Sequence, residues 1–257
     1  MMRHSEGDYM KFHFRPILTI FALASIAILL SLGTWQIERL AWKLELIEKI
    51  ENRTAQAPQE FDLIYAGWSA GQDQEYVPVT LTGRFLHDQE VHVFGTHDGK
   101  PGWYVMTPLD RGTDKALVYI NRGFVVMDKK DPEQRAAGQI TGEVTLTGLF
   151  RAPAKIPFFA GLVQAKDNPQ TNQWHHRDAS VFAAAHGLQA ASVIVDAGAT
   201  DLAAPVEGPL GGTTELAFRN KHMEYALTWY GLAAALAAVF LVFSLSARDP
   251  RTKSERL

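Results

Sequence analysis

The sequence predicts a membrane protein in which two transmembrane helices flank a β-rich (α+β) external domain built on an antiparallel, barrel-like sheet. Three observations carry this expectation. Ile17 to Gly33 and Ala226 to Ala247 contain no charged residue, and each is close to the ~20 residues a helix needs to cross a hydrocarbon core. Between them the hydrophobic pattern changes from a helical period to alternation. Both ends of the chain are short and basic. The division that follows is a cytoplasmic tail over residues 1–16, a first span over 17–35, an external, periplasmic domain over 36–225, a second span over 226–247 and a cytoplasmic tail over 248–257.

Composition narrows the function. The net charge is −3, and no basic stripe interleaved with aromatics marks a nucleic-acid partner. The absence of cysteine excludes disulfides, zinc ribbons, thiol redox chemistry and covalent c-type haem attachment.

The first apolar stretch exceeds the ~7–15-residue core of a signal peptide, and Trp35 and Ile37 continue its apolar character. It is therefore read as a retained anchor. Glu6 and Asp8 count against a mitochondrial transit peptide, which is poor in acids. Arg3, Lys11 and Arg15 precede the first span, and Arg248, Arg251, Lys253 and Arg256 follow the second. The positive-inside rule then puts both termini in the cytoplasm. A bacterial inner membrane is expected, with the mitochondrial inner membrane as the alternative.

From Gln36 to Arg53 the apolar residues Ile37, Leu40, Leu44, Ile47 and Ile50 recur at helical spacing, so one helix crosses the membrane and continues beyond it. Trp35 and Trp42 suit an interfacial aromatic belt. Residues 55–75 show no clear period. Alternation then predicts strands over 76–85, 90–94, 102–109, 116–121 and 143–150, the fourth ending at Asn121-Arg122-Gly123. A helix is expected over 179–186, closed by Gly187, and a strand over 192–196. Gly231/Ala235 and Ala234/Ala238 are small pairs that let a second helix approach the second span.

Few residues suggest chemistry. Gly67-Trp68-Ser69-Ala70-Gly71 matches the Gly-x-Ser-x-Gly elbow of serine hydrolases. That motif needs a strand before it and a helix after it, and here a strand follows. His87, His92 and His97 are five residues apart, which in a strand sends neighbours to opposite faces. His222 lies four residues before Ala226 and would share a helix face with Tyr225, Ala226 and Trp229. Imidazole is a common axial ligand of haem iron, and Arg39, Arg219 and Lys221 could meet the propionates of such a group. The same residues also suit a plain headgroup anchor.

Several blocks resemble the surfeit-locus family of cytochrome c oxidase assembly proteins. They are Leu32-Gly33-Thr34-Trp35-Gln36 with Arg39, Trp42 and Lys43; Pro101-Gly102-Trp103-Tyr104 with Thr107-Pro108-Leu109; Asn121-Arg122-Gly123-Phe124; Asn168-Pro169 with Asn172, Trp174 and Asp178; and the closing run from Asn220 through His222 and Tyr225 to Trp229-Tyr230. They stand in family order. Phe124 replaces the usual tryptophan, and no proline follows in Val125-Val126-Met127.

The resemblance implies an assembly factor for a haem-copper terminal oxidase. It would bind haem a transiently and supply or stabilise it on the catalytic subunit. His222 is the implied iron ligand, with Tyr225, Trp229, Arg39, Arg219 and Lys221 around the macrocycle. The implied partners are that subunit, haem a synthase and membrane lipid, and no enzymatic step is expected. The alternative is a cofactor-free scaffold for oxidase subunits.

Overall fold

The computed structural model describes residues 15–153, 165–199, 208–214 and 220–246. The chain forms two compact units. One comprises Met1–Glu48 with Ala217–Leu257, and the other Lys49–Leu216.

The first unit is a pair of helices. Helix α1 (Pro16–Thr54) is unbroken through the first apolar stretch and the amphipathic run beyond it. The last helix of the chain, His222–Ser246, contains the second stretch. Only 11% of the apolar window of each is buried within the chain. That is unlike a core helix of a soluble protein, and it leaves most of the apolar surface needing an apolar surrounding. Ala22, Ile26, Leu29, Gly33 and Gln36 of α1 are buried or half-buried at a four-three spacing, with Leu32 half-buried at their edge, which draws one stripe down the helix. Arg15 lies over the Phe243 ring, 5.1 Å from its centroid, while Thr34 meets Tyr230. The two helices therefore run antiparallel.

The small pairs expected to face a partner helix do not face α1. Ala226 and Ala233 are the buried alanines, whereas Gly231, Ala234, Ala235 and Ala238 are exposed. Closeness is supplied from the other side. A Cβ on Gly33 would lie 2.8 Å from Cε1 of Tyr230, so glycine is what lets the phenol ring lie against α1.

The second unit is built on a seven-stranded sheet. After the last turn of α1 come β1 (Gln59–Glu60), α2 (Phe61–Ser69), β2 (Pro78–Phe85), β3 (Val91–His97), β4 (Lys100–Asp110), β5 (Leu117–Val126), β6 (Glu143–Arg151), α3 (Ala179–His186) and β7 (Ala190–Ala197). The helix His222–Ser246 is thus α4. Within this unit Lys49 and Arg53 both bind Asp73, at 2.5 and 2.9 Å, tying the end of α1 to the loop after α2.

The sheet order is β1-β2-β6-β7-β5-β4-β3. Arg84–Asp110 and Phe85–Leu109 also pair β2 with β4, so the pairings run in a circuit through five strands. The expectation of an antiparallel sheet is corrected to a mixed one, because β1/β2 and β5/β7 are parallel. Parallel neighbours need a long crossover, and the chain between β5 and β7 provides one through β6 and α3.

Two cores explain the patterning. Val118 and Ile120 of β5, with Val193 and Val195 of β7, join a cluster with Leu81, Phe85, Leu109, Leu146 and Phe150. The intervening Tyr119 and Ile194 point the other way, into a cluster with Met106, Trp174 and Phe182. Strands buried on both faces lose the clean alternation of a half-exposed sheet, which is why eight successive residues of β5 are buried. Asp178 caps α3 by accepting from the Ser180 and Val181 amides, and Gly187 closes it in the left-handed region at φ +66°.

Candidate functional site

Residues of the closing block sit at the first turn of α4. Its leading amide, His222 N–H, donates to Oδ1 of Asn220 at 3.2 Å, and Tyr225 N–H donates to the Lys221 carbonyl at 3.2 Å. The His222 ring is half-buried. Its Nδ1 lies 2.7 Å from Oε1 of Gln36 on α1, and no bond engages Nε2 among the described residues. Two turns further along α4, Thr34 Oγ1 of α1 donates to the Leu30 carbonyl at 3.0 Å and stands 3.2 Å from the Tyr230 hydroxyl, which therefore donates to it.

The residues expected around His222 are not equally placed. Ala226 is buried, Trp229 half-buried and Tyr225 54% exposed, so Tyr225 is on the flank of the face that packs on α1. Arg39 holds its guanidinium 4.5 Å from the centroid of its own helix's Trp42. Lys221 is exposed. Arg219 lies outside the described residues. The donor set fits an axial haem ligand: a neutral imidazole with one nitrogen tied and the other open is the usual form of a metal-binding histidine, and aromatic side chains stand at the same helix end.

The other motifs resolve into architecture. Gly67–Gly71 straddles the C-terminal end of α2, so a helix precedes Ser69 where the hydrolase elbow requires a strand. His87 Nε2 donates to the Ile140 carbonyl at 2.8 Å, and burial, the largest cause, lowers its pKa. His92 bonds Glu90 at 2.9 Å, and Asp167 engages His176 at 3.1 Å. Among the described residues no three such side chains gather as a metal site.

Two buried polar networks lie outside the sequence reading. Glu90 receives His92 and both terminal nitrogens of Arg135. Burial opposes ionisation of Glu90, but these hydrogen bonds outweigh it and hold its pKa below the usual carboxylate value. Burial also pushes Arg122 down to about 10, beside His87 and the Gly138 carbonyl. In the second network Asp196, fully buried, binds Arg151, Arg177, Asn121 and Thr214. The opposing desolvation is again outweighed, so its pKa is lowered.

Asn121-Arg122-Gly123 does not end its strand, since β5 continues to Val126. Asn121 accepts the Gly123 amide at 3.1 Å, and Gly123, at φ +121°, lies so near the Leu210 carbonyl that a Cβ would be 1.9 Å from its oxygen. Only glycine fits there. Asn172 likewise donates to the Glu90 carbonyl at 2.8 Å and accepts from Trp174 Nε1 at 2.9 Å.

The chain is similar to known proteins along nearly its whole length. The SURF1 family profile matches residues 23–234. Surfeit locus protein 1 of Homo sapiens is 34% identical over 221 residues, covering 79% of this chain and 70% of that protein. Its Gallus gallus counterpart is 35% identical over 221 residues, with 79% and 68% covered. A SURF1-like protein of Monosiga brevicollis is 34% identical over 233 residues, with 86% and 85% covered. The match runs from within the first apolar helix, through every strand of the sheet, into the second apolar helix, and on that ground the chain belongs to the SURF1 family.

Proposed function

We propose that this chain is a membrane-anchored assembly factor for a haem-copper terminal oxidase, cytochrome c oxidase, which holds haem a through His222 and supplies or stabilises it on the catalytic subunit. Both apolar helices cross the membrane in this reading, with the termini in the cytoplasm and the circuit of strands acting outside as a barrel-like module. The membrane proposed is a bacterial inner membrane, with the mitochondrial inner membrane as the alternative. The partners are the catalytic subunit, haem a synthase and lipid. The role is carriage without bond chemistry, so the chain is not an enzyme.

The observation that carries the proposal is the His222 ring itself. It stands at the head of an apolar helix, with Nε2 free among the described residues, while His87, His92 and His176 each engage the protein's own polar groups. Haem, when bound, would supply an iron for His222 to ligate. Trp229 and Tyr225 give aromatic surface beside it, and the cations proposed to meet propionates are Arg219 and Lys221, within three residues of His222, and Arg39, three residues after its partner Gln36. The test is to purify the full chain from cells that make haem a. Wild type is expected to carry a haem absorption band, and His222→Ala is expected to lose or shift it. An unchanged haem content and spectrum would remove the ligand role. Haem-free wild type, together with normal oxidase assembly in the variant, would favour a cofactor-free scaffold.

A further inference from the structure

The contact between Gln36 and His222 selects an atom. The group facing His222 Nδ1 at 2.7 Å is the amide oxygen of Gln36. An amide oxygen can only accept a hydrogen bond, so Nδ1 must carry the proton. In the neutral ring Nε2 then holds the lone pair, and it is the nitrogen with no partner among the described residues. A free histidine side chain favours the opposite tautomer, so Gln36 holds the ring against its own preference.

The placement of Gln36 suits this task. It is 9% exposed, on the buried stripe of α1, three residues after the Gly33 that admits Tyr230. A polar group at such a seam is costly unless it is bonded, and His222 bonds it. The opposite end of the contact is also secured, because Asn220 accepts the His222 amide. Both the ring and the group that polarises it are therefore held by the helix pair.

We infer that Gln36 is a positioning residue, fixing the Nδ1–H tautomer of His222 so that Nε2 is the atom presented to a haem iron. The ligand half of this inference rests on the haem reading, whereas the tautomer half does not. The two are separated by working first without haem. The full chain, labelled with 15N-histidine and held in lipid nanodiscs, gives long-range 1H–15N correlations that distinguish the tautomers. The His222 signal is identified by its loss in His222→Ala.

Wild type is expected to show Nδ1–H. Gln36→Leu is expected to move His222 toward Nε2–H, and Gln36→Glu, which keeps an acceptor, to retain Nδ1–H. Haem a titrated by absorbance is then expected to bind Gln36→Leu about 10–100-fold more weakly than wild type, the range for loss of a group that orients a metal ligand, with Gln36→Glu restoring most of the affinity. An Nε2–H signal assigned to His222 in wild type overturns the inference. So does a Gln36→Leu spectrum identical to wild type. If the tautomers behave as expected but His222→Ala binds haem a as wild type does, the lock stands and the ligand role falls.

Discussion

Glu90 and Arg135 meet with almost no water around either: their side chains are 4% and 0% exposed. Removing one partner of a buried pair leaves an uncompensated charge, which costs about 3–5 kcal/mol. Arg135→Leu should therefore lower the unfolding free energy of the sheet unit by roughly that amount, read by denaturant unfolding of the full chain in detergent. The pH dependence has a definite sign. The Glu90 carboxyl is held below 4.5 in the folded chain, so its contribution is complete above the unfolded value and is lost as pH falls through the folded one. In Arg135→Leu burial acts unopposed by that cation and favours protonation. The gap between wild type and variant should narrow between pH 7 and pH 4, and a gap that widens would show that the pair is not what holds Glu90 ionised. Little of this was legible in the sequence. Glu90 and Arg135 are 45 residues apart, and Asn121, Arg122 and Asn172 stood out by family resemblance without a physical reason. The structure supplies the reason, since each bonds a distant backbone or carboxylate.

At the scale of elements, the two long apolar helices were plain because each shows in the sequence as an uncharged apolar run of the length a membrane span would need. The strands were plain where one face is buried, and over-short where both are: β5 was cut at Asn121 because an Asn-Arg-Gly run reads as a turn. The partner of the small pairs on α4 stayed open for a different reason. Small residues on α4 show that close approach is permitted, but not which stripe meets α1. That depends on Gly33, on a segment nearly two hundred residues earlier in the chain. The Gln36–His222 bond, at a separation of 186, was equally out of reach. Gly33→Leu should displace the Tyr230 ring and loosen the pair by about 1–3 kcal/mol, as overpacking does, whereas Tyr230→Phe should cost about 0.6 kcal/mol, typical of a hydrogen bond between membrane helices. Equilibrium unfolding of the full chain in bicelles measures both. Equal costs would mean that the hydroxyl, rather than the close approach, sets the contact.

For the whole molecule the family was legible from blocks spread along the chain, while the mixed character of the sheet was not, because period tells which face a residue takes and says nothing about which strand lies beside it. The arrangement has a consequence for synthesis. The seventh strand, β7, lies between β5 and β6, both of which are made before it. A chain stopped after Gln189 should therefore expose two unmatched strand borders at once, each a template for another copy. Such a truncated product is predicted to sediment as aggregate and to be cut rapidly by protease, and a monodisperse, protease-resistant fragment would contradict the strand order. During synthesis, the same geometry imposes a waiting period. The strands β5 and β6 stay unjoined until β7 is made between them, so the interval in which quality-control proteases can intercept the chain is written into its topology.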